Sequence, residues 1–330
     1  MAEPILSVQD LSASFFTKEG VVRAVQHVGF DLEPGKVLAV VGESGCGKSS
    51  LALALLRLLP FPGKVTGGHI VFDGRDLMLA GEEELRRIRG RRISMIFQDP
   101  VSGLNPVLPI GKQVEEILTS HLDIPKKERK RRVIDVLRHV GLADAERIAD
   151  SYPFHLSGGM CQRVMIAMAT ALNPSVVIAD EPTSALDVTV QAQILNELDA
   201  LRAQRGTAIV LITHDLGVVA QMADDVAVMY AGRFIEVGDV RQIFKEPRHP
   251  YTWALMQTLP RLDRSRGEPL HAIPGSPPSM IELPEECAFL PRCRKATLQC
   301  RTDPAPPLAT VGPGQFAACY NPVFHDWDEE

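Results

Sequence analysis

Gly42-Glu43-Ser44-Gly45-Cys46-Gly47-Lys48-Ser49 has the spacing G-x-x-x-x-G-K-S, the pattern of a loop that cradles phosphates. Its glycines let the backbone curl so that successive N–H groups point inward as an anion nest. A helix behind the loop adds partial positive charge at its N-terminus. Lys48 can then reach the β- and γ-phosphates, and the Ser49 hydroxyl can ligate Mg²⁺. Asp180-Glu181 closes the apolar run Val176-Val177-Ile178-Ala179. A carboxylate there can hold Mg²⁺ against Ser49, and Glu181 can orient or deprotonate an attacking water. Read without the loop, the same acid pair is a helix cap. Leu156-Ser157-Gly158-Gly159-Met160 offers a hydroxyl and free N–H groups to a further anion. The chain is expected to bind a nucleoside triphosphate.

These groups need strands and helices in a set order. The apolar run Val37–Val41 predicts a strand feeding the loop, and Leu51–Leu59 a helix leaving it. Upstream, Ile5–Leu11 and Val21–Leu32 read as β, with Phe15 and Phe16 between them. His69–Phe72 and Ile93–Phe97 are further short strands, the latter delivering Gln98-Asp99-Pro100 into a loop. From Ile110 to about Ser151 apolar residues recur at helical spacing, a helical insertion. Its basic run Lys126–Arg132 reads as a solvated helix face. Helices ending at Leu172 and Arg205 alternate with strands Val176–Ala179 and Ala208–Ile212, the last ending at Thr213-His214-Asp215. Val226–Tyr230 and Arg233–Val237 read as a hairpin across Ala231-Gly232. This alternation implies a mainly parallel sheet, hence an α/β fold.

Across 330 residues the chain is 45% hydrophobic and 23% charged, with a net charge of −6, a soluble globular composition that carries no whole-molecule nucleic-acid footprint. No apolar run approaches the about 18 residues of a membrane span. The start has neither a basic segment nor an apolar h-region, so a cytoplasmic location is expected, with any membrane crossing left to another chain.

Tyr152-Pro153-x-x-Leu156-Ser157-Gly158-Gly159 ahead of Asp180-Glu181 closely resembles the signature loop of ABC-type ATPases. Gln98 matches that family's Q-loop, Ser184-Ala185-Leu186-Asp187 its D-loop and His214 its switch histidine. The resemblance implies a P-loop NTPase fold with an antiparallel β subdomain and a helical subdomain at about 100–172. It also implies a head-to-tail dimer that sandwiches each ATP between Gly42–Ser49 of one chain and Ser157–Gly159 of the other. Implied nucleotide contacts are Phe15 (or Phe16) on adenine, Gly42, Ser44, Gly45, Gly47, Lys48, Ser49, Ser50, Gln98, Asp180, Ser157, Gly158, Gly159 and Asp187. Ser49 and Gln98 would hold Mg²⁺, and Glu181, His214 and Gln98 would serve hydrolysis.

After Gly238 proline becomes frequent, and such a segment cannot build a large core alone. Its Pro247-Arg248-His249-Pro250-Tyr251-Thr252-x-Ala254-Leu255, followed by Leu259-Pro260, is similar to the C-terminal extension of oligopeptide and dipeptide importer ATPases. Met95–Pro100 and Leu104-Asn105-Pro106 fit that group too. The expected division is an ATPase domain at 1–245 and an extension at 246–330. The implied partners are a second, OppF/DppF-like ATPase, two transmembrane permeases and a periplasmic or lipoprotein peptide receptor. Nickel or antimicrobial-peptide import, or a soluble non-transport role, are the rival readings.

Cys287, Cys293, Cys300 and Cys319 crowd this extension as C-x5-C-x6-C-x18-C. Four thiolates can hold either Zn²⁺ or a [4Fe–4S] cluster. The lack of C-x2-C pairs favours the cluster, as does its presence in similar members of the resembled group. A structural staple for the tail is the expected role.

Overall fold

The computed structural model describes residues 3–100, 102–184, 186–258, 273–281 and 283–324. Ala185, Leu259 and Pro260, named above in motifs, lie outside the described residues. The backbone falls into two compact units, Met1–Ser7 with Asp31–Val37 and Val71–Ile212, and Val8–Phe30 with Leu38–Ile70 and Thr213–Glu330.

In the first unit, strands Ile93–Ile96, Val176–Asp180 and Ala208–Ile212 lie side by side and parallel, pairing Ile93 with Val176 and Val176 with Ala208. Every residue of the three is buried. That is why they read as unbroken apolar runs rather than alternating ones. The helical insertion consists of Ile110–His121, Lys126–His139 and Ala145–Asp150. Ile110, Val114 and Leu118 recur every fourth residue, and all are buried. Lys126–Arg132 sits on the helix surface, where Arg132 bonds Glu128 at 2.7 Å and Arg129 pairs with Glu115 at 3.4 Å. Helix Gly158–Thr170 begins at Ser157, whose hydroxyl accepts from the Met160 N–H. Helix Val188–Arg205 is capped by the Asp187 carboxylate and ends on Gly206 in the left-handed region, φ 65°.

The second unit holds an antiparallel β sheet built on Leu6–Thr17, flanked by Gly20–Leu32 and Gly63–Phe72. Phe15 and Phe16 lie inside the first strand, not between two strands as expected, because Leu11, Ala13 and Ser14 keep burying side chains past Leu11. The other sheet of this unit runs Ala309–Gly312, Gln315–Ala317, Arg233–Asp239, Asp225–Tyr230, Val37–Val41. Leu38–Val41 pairs in parallel with Asp225–Val228. The hairpin Asp225–Tyr230/Arg233–Asp239 turns at Ala231 and Gly232, both at positive φ, 47° and 80°.

The proline-rich tail is held by the rest of its unit. Gln315–Ala317 adds to the sheet edge with Glu236 opposite Ala317. The Glu236 carboxylate, fully buried, accepts from the N–H groups of Arg248 (2.7 Å) and His249 (2.8 Å) and from Gln315 Nε2 (2.9 Å). Phe289 from the tail packs on Tyr230 and Tyr251 with ring centroids 5.4 Å apart in each pair. Aromatic contacts of this kind add about 0.5–1.5 kcal/mol each beyond burial. These contacts hold the tail without any part played by its cysteines.

Candidate functional site

The phosphate loop curls under steric compulsion. Gly42 has φ 155° and Gly47 φ 111°. A Cβ on Gly42 would fall 2.2 Å from the Met229 carbonyl oxygen, and one on Gly47 2.1 Å from that of Ala24. Only glycine fits either place. Lys48, the first residue of helix Lys48–Leu55, is buried and donates from Nζ to the Gly42 (2.8 Å) and Glu43 (2.9 Å) carbonyls. The ammonium is thus held within the loop, where a phosphate would meet both it and the helix N-terminus. Ser44, Gly45, Ser49 and Ser50 complete the loop and the first helical turn.

The same unit carries His214 and Phe15. The Thr213 N–H donates to the Val40 carbonyl at 3.3 Å, so exposed His214, the next residue, stands beside the end of the strand that feeds the loop. The Phe15 ring is half-buried over Gly63, whose Cβ would stand 2.6 Å from it. Phe16 is 49% exposed, so Phe15 has the packing role and Phe16 the freer face.

The remaining expected residues belong to the first unit. Asp180 is buried at the end of its strand. Glu181 has φ 48°, a backbone conformation uncommon outside glycine, and its N–H donates to the Ile212 carbonyl at 2.8 Å. Gln98 follows Ile93–Ile96, and its carbonyl accepts from Ser184 Oγ at 3.4 Å, joining the Q-loop to the segment after Glu181. Gln162 Nε2 donates to the Pro182 carbonyl at 2.7 Å and ties the signature helix to that segment as well. Beyond its own helix backbone and chain neighbours, a Cβ on Gly158 would meet no atom of the described residues within 4 Å, whereas one on Gly159 would touch Val190 at 3.4 Å. Asp187 caps its helix through the Thr189 and Val190 N–H groups.

Ser49 carries a hydroxyl, Asp180 a carboxylate and Gln98 an amide, and each is an oxygen donor of the kind Mg²⁺ takes.

Cys287, Cys293, Cys300 and Cys319 line one small pocket. Burial pushes the thiols of Cys287, Cys293 and Cys319 up, Cys319 to about 12, and charge on neighbouring cysteines adds to the rise. The sulfur chemistry suits a soft metal. The spacing does not yet do so: among the described residues no group of three or more His, Cys, Asp or Glu is arranged to hold a metal ion. The expected cluster is therefore reduced to four convergent free thiols.

Sequence reading missed Glu43, a variable position of the loop. Its N–H donates to the Tyr251 hydroxyl at 2.9 Å, and its carboxylate takes both terminal nitrogens of Arg292, at 2.7 and 2.9 Å. Burial raises the Tyr251 hydroxyl well above its ordinary value, keeping it protonated. No spacing rule links residues so far apart.

The ABC transporter family profile matches residues 25–184, and the profile of the oligopeptide/dipeptide transporter C-terminal region matches 235–300. The oligopeptide transport ATP-binding protein OppD of Escherichia coli is 47% identical over 322 residues, covering 98% of this chain and 94% of its own. The dipeptide transport ATP-binding protein DppD of Bacillus subtilis is 48% identical over 299 residues, 90% of this chain and 89% of its own. A solved dimeric ATP-binding cassette in a post-hydrolysis state with ADP and Pi superposes with a TM-score of 0.65 at 28% identity, covering 72% of this chain and 99% of that one. With end-to-end likeness at this identity, the chain belongs to the ABC transporter family of ATP-binding proteins, in its oligopeptide/dipeptide branch.

Proposed function

We propose that this chain is the ATP-hydrolysing subunit of a peptide importer. The observation that carries the reading is one uninterrupted chain with an ATP-binding cassette at 25–184 and an oligopeptide/dipeptide-type C-terminal region at 235–300. Relatives named for oligopeptide and dipeptide transport match both parts. We divide the chain at 245/246, with a helical part at about 100–172.

In this reading Lys48, Ser49 and the loop N–H groups hold the phosphates, and Ser44, Gly45, Gly47 and Ser50 shape that cradle. Phe15 or Phe16 meets adenine. Ser49, Gln98 and the Asp180 carboxylate would hold Mg²⁺, which would neutralise charge on the phosphates. Glu181 takes the proton of the attacking water, His214 stabilises the γ-phosphate, and Gln98 reports its presence to the helical insertion. Ser157, Gly158 and Gly159 serve the ATP of a second ATPase, with Asp187 at the same interface. That second subunit is an OppF/DppF-like chain, and two permeases and a peptide receptor complete the importer. No helix among the described residues is long and apolar enough to cross a membrane, which fits peripheral work on the cytoplasmic face.

The four-cysteine pocket is proposed to take a [4Fe–4S] cluster, with Zn²⁺ the alternative. Support comes from the convergence of all four cysteines on one pocket, where their sulfurs are available as ligands for such a group. No step of hydrolysis depends on it.

The test is reconstitution of this chain with the sister ATPase and permeases in vesicles, followed by uptake of a labelled peptide. Uptake that requires MgATP and stops with Glu181→Gln is expected. Peptide uptake unaffected by that substitution overturns the reading.

A further inference from the structure

Glu43 is held within the phosphate loop through its N–H, its carbonyl and its carboxylate. Its carbonyl accepts from Lys48 Nζ at 2.9 Å and from the Cys46 N–H at 3.3 Å. Its N–H donates to Tyr251 Oη at 2.9 Å. Its carboxylate forms a two-point pair with Arg292. The backbone of Glu43 is thus held by the loop from one side and by the C-terminal extension from the other.

The extension's grip is itself rigid. The Arg292 side chain is 4% exposed, and its Nε donates to the Pro274 carbonyl at 2.9 Å, its Nη1 to Tyr230 Oη at 3.2 Å. Its guanidinium lies over the Tyr230 and Phe289 rings, 5.9 Å from each centroid. Tyr251 is fully buried against those same rings. A planar fork fixed on several sides selects one carboxylate orientation, which a flexible lysine would not do.

We propose that Arg292 and Tyr251 are positioning residues of the ATPase, setting the phosphate loop through Glu43 so that Lys48 and the anion nest are preformed for nucleotide. Neither touches phosphate. Tyr251 holds the Glu43 N–H and Arg292 its carboxylate, and the carbonyl of the same residue holds Lys48. If that anchor loosens, the loop must be ordered when ATP binds, and the cost falls on nucleotide affinity. The chemical step, which depends on Glu181 and the γ-phosphate, is affected far less. The extension thereby becomes part of the nucleotide site, whatever cargo the importer carries.

The inference rests on ATP binding alone. MgATP titration of the full chain, read by equilibrium fluorescence, tests it, with Tyr251→Phe as the cleanest variant because the ring stays in place. Arg292→Gln and Glu43→Gln are each expected to raise the MgATP dissociation constant about tenfold, and Tyr251→Phe several-fold. The double variant Glu43→Gln/Arg292→Gln should bind no more weakly than the worse single, because both remove one interaction. In the assembled ATPase the same variants should raise KM much more than they lower kcat. Should Arg292→Gln fail to fold, Arg292→Lys and Tyr251→Phe decide alone. Affinities within about twofold of wild type, or losses that add in the double variant, overturn the inference. A wild-type chain that binds no MgATP overturns instead the ATPase reading on which it stands.

Discussion

The N–H of Glu181 donates to the carbonyl of Ile212 at 2.8 Å while Glu181 itself sits at φ 48°. A strand-end hydrogen bond holds this residue in a left-handed backbone that a side-chain-bearing residue adopts only when its surroundings enforce it. Glu181 takes this conformation directly after buried Asp180, the last residue of its strand.

Glu181→Gln preserves shape and removes the basic oxygen. Turnover in the assembled ATPase should fall on the order of a hundredfold or more, with MgATP binding retained and an ATP-bound dimer accumulating. Single-turnover kinetics with size-exclusion chromatography checks this. Retained turnover removes Glu181 from the role of base.

Gly47 and Gly158 separate two reasons for glycine. At Gly47 a Cβ would meet the Ala24 carbonyl oxygen at 2.1 Å and the Met229 methyl at 3.0 Å. Gly47→Ala should therefore destabilise the chain by about 2 kcal/mol or more and abolish ATP binding, as measured by urea unfolding and nucleotide titration.

At Gly158 the added methyl meets nothing among the described residues within 4 Å outside its own helix backbone and chain neighbours. Gly158→Ala should leave subunit stability unchanged or higher by up to about 1 kcal/mol, since alanine favours the helix. ATP affinity of the isolated subunit should also stay put, while ATP-driven pairing with the sister ATPase weakens. Undiminished pairing would remove the signature loop from the interface.

Glu197 gives a pH signature. Burial raises its carboxyl to about 7 despite Arg163, whose Nη1 lies 3.4 Å away. A carboxyl raised in the folded state adds stability below its unfolded value, about 4.5, and loses that contribution as pH climbs through about 7. Glu197→Gln mimics the protonated form. It should stabilise the chain by about 1–3 kcal/mol near pH 8, with the gain fading towards about pH 5. Denaturation curves at both pH values test this, and a pH-independent difference refutes it.

For the cysteine pocket, anaerobic purification followed by metal analysis and visible absorption is decisive. Iron, sulfide and a brown colour lost on Cys319→Ala are expected. A colourless, iron-free preparation loaded with zinc assigns the pocket to Zn²⁺.

The residues proposed to carry the chemistry are legible in the sequence. Gly42, Gly47, Lys48, Asp180, Glu181 and Ser157 announce themselves because short-range geometry, a tight turn, a strand end or a helix start, needs those residue types at those spacings. The buried parallel strands were legible for the same reason, since full burial leaves an unbroken apolar run. The extent of Leu6–Thr17 was not, because Phe15 and Phe16 depend on which neighbour covers each face. Only the tertiary structure decided what holds the proline-rich tail, and that the tail holds the phosphate loop in return. Glu43 and Arg292 stand 249 positions apart, and nothing local to either marks a partner. A two-point ion pair exists only where folding sets a fork against a carboxylate, which side-chain spacing along a chain cannot encode.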